Sequence, residues 1–183
     1  MKKFAVQSNF LDNQLLTDIK IDLDSRKTQK VWASNKFVFN PDVTVDPDLN
    51  GTIHVCRISD DIRERVVNFL VQSETLSDID IDTENIDTEN MMYYCADTNS
   101  GIDWHTDSFK KMAISLYLND NWDPEWGGVF CYRDLDDGET VHQVVPESNK
   151  AVILQGPVWH SVTKLQPEAP LRESLQIFVN LDK

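Results

Sequence analysis

The sequence predicts an α+β protein that is mainly β, with helices in its N-terminal half covering a C-terminal antiparallel β-barrel. Two observations carry this expectation. From residue 91 onward, short runs rich in β-branched and aromatic residues recur with turns between them, at 91–97, 112–118, 129–133, 141–145, 151–155, 159–163 and 172–179. Such spacing fits a sandwich or barrel better than βαβ units. Before residue 91, apolar residues recur at helical spacing in two stretches.

Taken in order, Phe10 to Leu23 carries apolar residues at 11, 15, 16 and 19 and reads as a short amphipathic helix. Val31 to Phe39 reads as a strand, and 39–51, rich in Pro, Asp and Asn, as a loop. Ser59 to Leu76 is the stronger helix: Ser59 or Asp60 caps its start, and Ile62, Val66, Phe69 and Leu70 form a stripe. Ser77 to Asn90 holds a tandem repeat, Ile81-Asp-Thr-Glu-Asn85 and Ile86-Asp-Thr-Glu-Asn90, preceded by alternating Asp78, Asp80 and Asp82. Without the glycine that a calcium loop needs for its turn, the segment reads as a solvated connector. The expected organisation is one domain over 1–183, in which 1–90 supports the core and 91–183 carries it.

The formal net charge is -14, and no basic stripe offsets it. Nucleic acid and anionic membranes are therefore not expected as partners. A cationic peptide or small molecule is steered in more readily, although solubility alone explains such a charge. No feature specifies an oligomer. Met1-Lys2-Lys3 begins like a signal peptide, but no apolar core follows, and the longest apolar run is Met91 to Ala96, too short for a bilayer. A soluble, cytoplasmic protein is expected. Cys56, Cys95 and Cys131 are odd in number and lie in apolar stretches, which suggests buried free thiols.

The chemistry centres on Trp104-His105-Thr106-Asp107. In an extended strand, residues i and i+2 share a face, so His105 and Asp107 could reach one metal. His160, at the start of another expected strand, supplies a third ligand. Two histidines and a carboxylate make the facial triad of non-haem iron(II), with open positions left over. By itself His-x-Asp is a weak signal in an Asp-rich chain, where a surface hydrogen-bonded pair is the plainer reading. His54 and His142 lack an acid two residues on. Further support comes from 171–179, where period two puts Arg172, Ser174, Gln176 and Phe178 on one face and Leu175, Ile177 and Val179 on the other. An inward Arg needs an anion, and a dicarboxylate held by Arg172 and Ser174 would supply one. Likewise Met112, Ile114, Leu116 and Leu118 form an apolar face, while Ala113, Ser115 and Tyr117 suit a lined cavity or an exposed face.

The segment from Ala113 to Gly128 closely resembles the corresponding stretch of prolyl hydroxylases, including the oxygen-sensing animal enzymes. The ordered set is Tyr93/Tyr94, His105-x-Asp107, Tyr117-Leu-Asn119, Gly127-Gly128, His160 and Arg172-x-Ser174, over 91–183. Asn9-Phe10-Leu11 resembles the family's opening. The resemblance implies a double-stranded β-helix of jelly-roll or cupin-like form, with N-terminal helices packed on one sheet. It implies an iron(II)- and 2-oxoglutarate-dependent dioxygenase, with O2 as co-reactant and ascorbate as reductant. His105, Asp107 and His160 would hold the iron. Arg172, assisted by Tyr117, Ser174 and Tyr94, would bind 2-oxoglutarate. The implied reaction hydroxylates a prolyl or proline-like substrate, releasing succinate and CO2; a free amino acid or other small metabolite is the alternative. Because Asp107 fills the carboxylate position, hydroxylation is expected over halogenation. The stretch between His160 and Arg172 is a few residues longer than in the oxygen sensors. Trp104 and Trp159 would either wall the substrate pocket or pack between sheets. Trp122 and Trp126 would lie near the site entrance, with Asp120, Asp123 and Glu125 either meeting a cationic substrate or simply solvated. A zinc hydrolase and a non-catalytic cupin-like binding protein compete with this reading; the first leaves Arg172 unexplained.

Overall fold

The computed structural model describes residues 4–29, 33–35, 48–73, 76, 86–107, 112–134, 136 and 138–179. Among these, the chain runs β1 (Phe4–Ser8), α1 (Asn13–Gln29), β2 (Ala33–Asn35), β3 (Ile53–Arg57), α2 (Asp60–Gln72), β4 (Met92–Ala96), β5 (Ile102–His105), β6 (Met112–Tyr117), β7 (Phe130–Arg133), β8 (Val141–Val144), β9 (Lys150–Gln155), β10 (His160–Val162) and β11 (Arg172–Val179).

The strands form two antiparallel sheets, ordered β1-β9-β6-β11-β4-β3-β2 and β5-β10-β7-β8. They face one another as the two walls of a double-stranded β-helix and do not close into one continuous barrel. Strands β1, β2 and β3 complete the larger sheet, so the residues before 91 supply more than a helical cover. Neither β1 nor β3 is marked by a strong apolar run in the sequence. Both form because distant strands offer them a partner, β9 for Phe4–Ser8 and β4 for Ile53–Arg57.

Helices α1 and α2 pack on the outer face of the larger sheet. The first starts later than its apolar spacing suggests and runs further, because the Asp12 carboxylate accepts from Leu15 N at 2.8 Å and sets the start. Leu15, Ile19 and Leu23, four apart, are buried against it. In α2 the Ser59 cap accepts from Ile62 N, and Ile62, Val66, Val67 and Leu70 are buried. Phe69 is only partly buried and meets Phe10 edge-on at 5.4 Å. The strand residues facing the helices include Ile114, Leu116, Leu175 and Ile177. Tyr93 also points this way, its hydroxyl donating to Asp22 Oδ2 at 2.9 Å.

Phe10 and Leu11 precede the helix and are stapled to the core. Leu11 N donates to Asn149 Oδ1 at 2.8 Å, and Asn149 Nδ2 donates back to Leu11 O at 2.9 Å. Phe10 N donates to Asn149 O, and Asn149 N to Tyr117 O, each at 3.0 Å. Asn149 is buried at φ 58°, a left-handed conformation that asparagine tolerates better than most residues.

The three cysteines are buried free thiols. Burial raises the pKa of each, that of Cys95 to about 12. The second acidic pentad is not a loose connector: Ile86 is buried and bridges Val179, and Asp87 N donates to Phe178 O at 2.9 Å. Its first copy, Asp78, Asp80, and most of the expected 31–39 strand and 39–51 loop lie outside the described residues. No helix among the described residues is long and apolar enough to cross a membrane.

Replacing Asn149 with Ala removes two side-chain hydrogen bonds, orphans the Leu11 backbone groups and strains φ. Stability should fall by roughly 3 kcal/mol, or about 6–12 °C in Tm, and calorimetry of the variant would show it; an unchanged Tm would mean that Leu11 is held by other contacts.

Candidate active site

His105 ends β5 and His160 begins β10, and the two are direct register partners in the smaller sheet. Their rings lie 4.1 Å apart and both are buried. Asp107 follows the end of β5 instead of continuing it, so strand alternation alone does not bring it to the histidines. Even so, its Oδ1 stands 3.7 Å from His105 Nε2 and its Oδ2 3.6 Å from His160 Nε2. These separations exceed a hydrogen bond and leave room for an ion at about 2.0–2.2 Å from each atom. One ligand atom from each of the three residues lies within 4.8 Å of the others, the one such His/Asp cluster among the described residues.

Each histidine is prepared by its own backbone. His105 Nδ1 meets Asp103 O at 2.7 Å, and His160 Nδ1 meets Val158 O at 2.8 Å. A carbonyl oxygen only accepts, so each Nδ1 carries a proton, and the neutral ring then presents its lone pair at Nε2. Burial lowers the pKa of His160, and the neighbouring His105 adds to this, favouring the neutral form. Phe130 stacks on the His160 ring at 5.4 Å.

Between the sheets lies a cavity of about 90 Å³, room for several water-sized groups. His105, Asp107, Arg172, Ser174 and Tyr94 line it, together with apolar groups such as Phe130, Leu154 and Phe178. Of the pair Tyr93/Tyr94, only Tyr94 faces this space. The period-two reading holds along β11, where Arg172, Ser174, Gln176 and Phe178 line the cavity, and on β6 for Ala113 and Ser115, while Tyr117 is fully buried against Arg172 and does not line it. Ile53 and Ala96, on β3 and β4, also line it. Neither was marked in the sequence, because their contribution depends on β3 joining the sheet.

Arg172 is buried, and no carboxylate pairs with it among the described residues. Its Nε donates to Gly128 O at 2.7 Å, and its guanidinium lies 5.0 Å over the Tyr117 ring. Burial lowers its pKa. Among the described residues the fully buried Tyr117 hydroxyl makes no hydrogen bond of ordinary geometry; burial pushes it up to about 12, with the charge and the nearby donors of Arg172 pulling the other way. The Gly127-Gly128 pair seats this arrangement. A Cβ on Gly127 would stand 2.0 Å from Lys164 O, and one on Gly128 2.8 Å from Arg172 Cδ. The longer stretch after His160 is held by Thr163 N donating to Val129 O and Gln166 N to Trp126 O.

The tryptophans depart from expectation. Neither Trp104 nor Trp159 lines the cavity. Adjacent to inward histidines, they fall on the opposite face, where Arg133 lies 5.2 Å over the Trp104 ring and Trp159 is half exposed. Trp122 is core, its Nε1 donating to Gly127 O at 3.0 Å beside the buried end of the cavity. Asp120 pairs with Lys20 at 2.7 Å, and Asp123 accepts from Glu125 N at 2.9 Å, so the fold itself occupies both acids. The three-ligand geometry predicts that His105→Ala, Asp107→Ala or His160→Ala weakens Fe(II) or Mn(II) binding by at least about 100-fold, since even supporting groups of a metal site are worth 10–100-fold. Titration calorimetry measures this, and each variant should keep its cooperative melt; undiminished affinity in one variant removes that residue from the site.

A sequence profile of the 2OG-Fe(II) oxygenase superfamily matches residues 90–180, about half of the chain. No curated protein sequence is detectably similar. Among solved structures, a prolyl-4-hydroxylase of Pseudomonas putida superposes with a TM-score of 0.71 at 19% identity, covering 98% of this chain and 93% of its own. A Trichoplax adhaerens prolyl hydroxylase, in complex with a hypoxia inducible factor oxygen degradation domain peptide fragment, gives 0.69 at 16%, covering 98% and 84%. A non-heme alpha ketoglutarate dependent epimerase from nogalamycin biosynthesis gives 0.67 at 10%, covering 97% and 78%, so the shared fold carries more than one reaction. The profile match, with iron, 2-oxoglutarate and O2 as the reactants it implies, identifies this chain as an oxygenase that belongs to the 2OG-Fe(II) oxygenase superfamily.

Proposed function

We propose that this oxygenase hydroxylates a C–H bond of a prolyl residue or proline-like substrate, with iron held by His105, Asp107 and His160. The observation that carries the cosubstrate site is the buried Arg172 guanidinium, which meets no carboxylate among the described residues and lies against the buried Tyr117, whose hydroxyl has no other partner among them. A buried cation and a buried donor both favour an anion, and the distal carboxylate of 2-oxoglutarate supplies one. Ser174, two residues along the same face, adds a hydroxyl, and Tyr94 closes the side of the cavity. The prolyl substrate is favoured by the fold shared with two prolyl hydroxylases.

His105, Asp107 and His160 would hold iron(II), which would let O2 act as the oxidant with 2-oxoglutarate giving two electrons and the substrate C–H bond two: one oxygen atom would end in the new hydroxyl and the other in succinate, with CO2 lost. Ascorbate takes no part in that balance and would serve only to return iron oxidised outside it to iron(II). The residues do the positioning. The carbonyls of Asp103 and Val158 accept from the Nδ1 side of each ring, which turns each Nε2 toward the metal position. Arg172 and Tyr117 anchor the far end of the cosubstrate, so its keto acid end is presented to the triad. Phe130, Leu154, Val162 and Phe178 keep the cavity apolar and limit water at the reacting centre.

Purified protein with Fe(II), ascorbate, 2-oxoglutarate and proline-containing peptides should yield succinate and peptide carrying one added oxygen. Succinate formation unaffected by any proline-containing peptide would redirect the search to small metabolites. No 2-oxoglutarate turnover at all would favour a zinc hydrolase or a binding protein.

Arg172→Ala should raise the 2-oxoglutarate KM by roughly 30-fold to several thousand-fold, the effect of about 2–5 kcal/mol. Arg172→Lys should recover part of this, because a point charge does not reproduce the fork, and Tyr117→Phe should cost about 1.5–3 kcal/mol. Steady-state kinetics at saturating iron measures all three; an unchanged KM in Arg172→Ala contradicts the assignment. Gly128→Ala, which crowds Arg172 Cδ, should raise the same KM without weakening metal binding.

A further inference from the structure

The cavity carries a polar chain that neither the triad nor Arg172 uses. Ser115 on β6 and Gln176 on β11 are register partners, and Ser115 Oγ donates to Gln176 Oε1 at 2.7 Å. Gln176 Nε2 then donates to Ser174 Oγ at 3.0 Å. Ser174 is buried, pairs with Tyr117 across the strands and shares a face with Arg172.

The direction of this chain matters. A primary amide has one accepting end and one donating end. With its oxygen engaged by Ser115, Gln176 turns its NH2 to Ser174 and fills a lone pair of that hydroxyl. Among the described residues the Ser174 proton then has no acceptor, and it is free to donate into the cavity. In the opposite amide orientation Ser174 would donate to Gln176 and offer nothing to an anion. Only the arrangement seen leaves Ser174 a proton for an anion beside Arg172.

We propose that Ser115 and Gln176 are positioning residues, which hold the Ser174 hydroxyl as a donor aimed at the distal carboxylate of 2-oxoglutarate. This rests on the cosubstrate reading above. The pair acts through Ser174 and sets cosubstrate affinity, leaving the metal site alone.

The test is calorimetric titration of 2-oxoglutarate into the full chain loaded with Mn(II), without turnover. Ser174→Ala should weaken binding by about tenfold or more, and Gln176→Leu and Ser115→Ala by about three- to tenfold each, the range of one hydrogen bond to a charged group and part of it. Mn(II) affinity should stay at the wild-type value in all of them, which also shows that each variant retains the folded site. Because the effect passes through Ser174, adding Gln176→Leu to Ser174→Ala should weaken binding no further. Gln176→Glu, which accepts from both serines and adds negative charge, should be worse than Gln176→Leu. The inference is overturned if Gln176→Leu and Ser115→Ala bind as wild type, or if Gln176→Leu weakens binding equally with Ser174 absent. Arg172→Ala is the control: if it too binds 2-oxoglutarate as wild type, the cosubstrate reading fails and takes this inference with it, whereas loss of binding there beside intact binding in the other variants removes only the positioning pair.

Discussion

A buried guanidinium that meets no carboxylate among the described residues constrains the rest of this molecule. Removing the Arg172 charge from water is unfavourable by several kcal/mol. The protein returns one hydrogen bond, to Gly128 O, and the face of the Tyr117 ring, the latter worth about 2 kcal/mol when desolvated. Several features exist around this group. Two glycines let the 163–165 segment and the Arg172 side chain approach. Trp122 packs against them and ties back to Gly127 O. Strands β6 and β11 pair so that Tyr117 faces Ser174. An interior that leaves this cation without a carboxylate among the described residues suits the anion proposed above.

The metal-binding half works by the complementary rule. Both histidines come from the smaller sheet, Asp107 from just beyond β5 and Arg172 from the larger sheet, so the gap between sheets sets the distance between the two ends of the cavity. Backbone carbonyls fix the tautomers of both histidines before any ion binds, so little reorganisation is needed at the site. The N-terminal segment stiffens this frame: Asn149 joins Phe10 and Leu11 to the carbonyl of Tyr117, which links the helical cover to the residue that packs under Arg172.

Much of this was legible in the sequence because it rests on period two. Alternation along 172–179 and 112–118 assigns the cavity faces of both strands, and it does so whatever the sheets' exact closure. Both helices were legible from apolar spacing and the Ser59 cap. Other features depend on where the chain goes after an element ends. Asp107 reaches the histidines from beyond β5, and Trp104 and Trp159 turn outward because their neighbours turn inward. Asp120 finds Lys20, a hundred positions away, and Ile53 lines the cavity only because β3 pairs with β4. The Ser115–Gln176 contact needs the β6–β11 register, which no local pattern supplies.

The central claim is that the cavity is built for a dianion whose far carboxylate meets Arg172. The direct measurement is calorimetric titration of the Mn(II)-loaded wild-type protein with 2-oxoglutarate and with 2-oxopentanoate, which has a methyl group in place of the distal carboxylate. Tighter binding of 2-oxoglutarate by about 30-fold or more, the worth of a buried charge pair, is the predicted result; equal affinity for the two acids would contradict it.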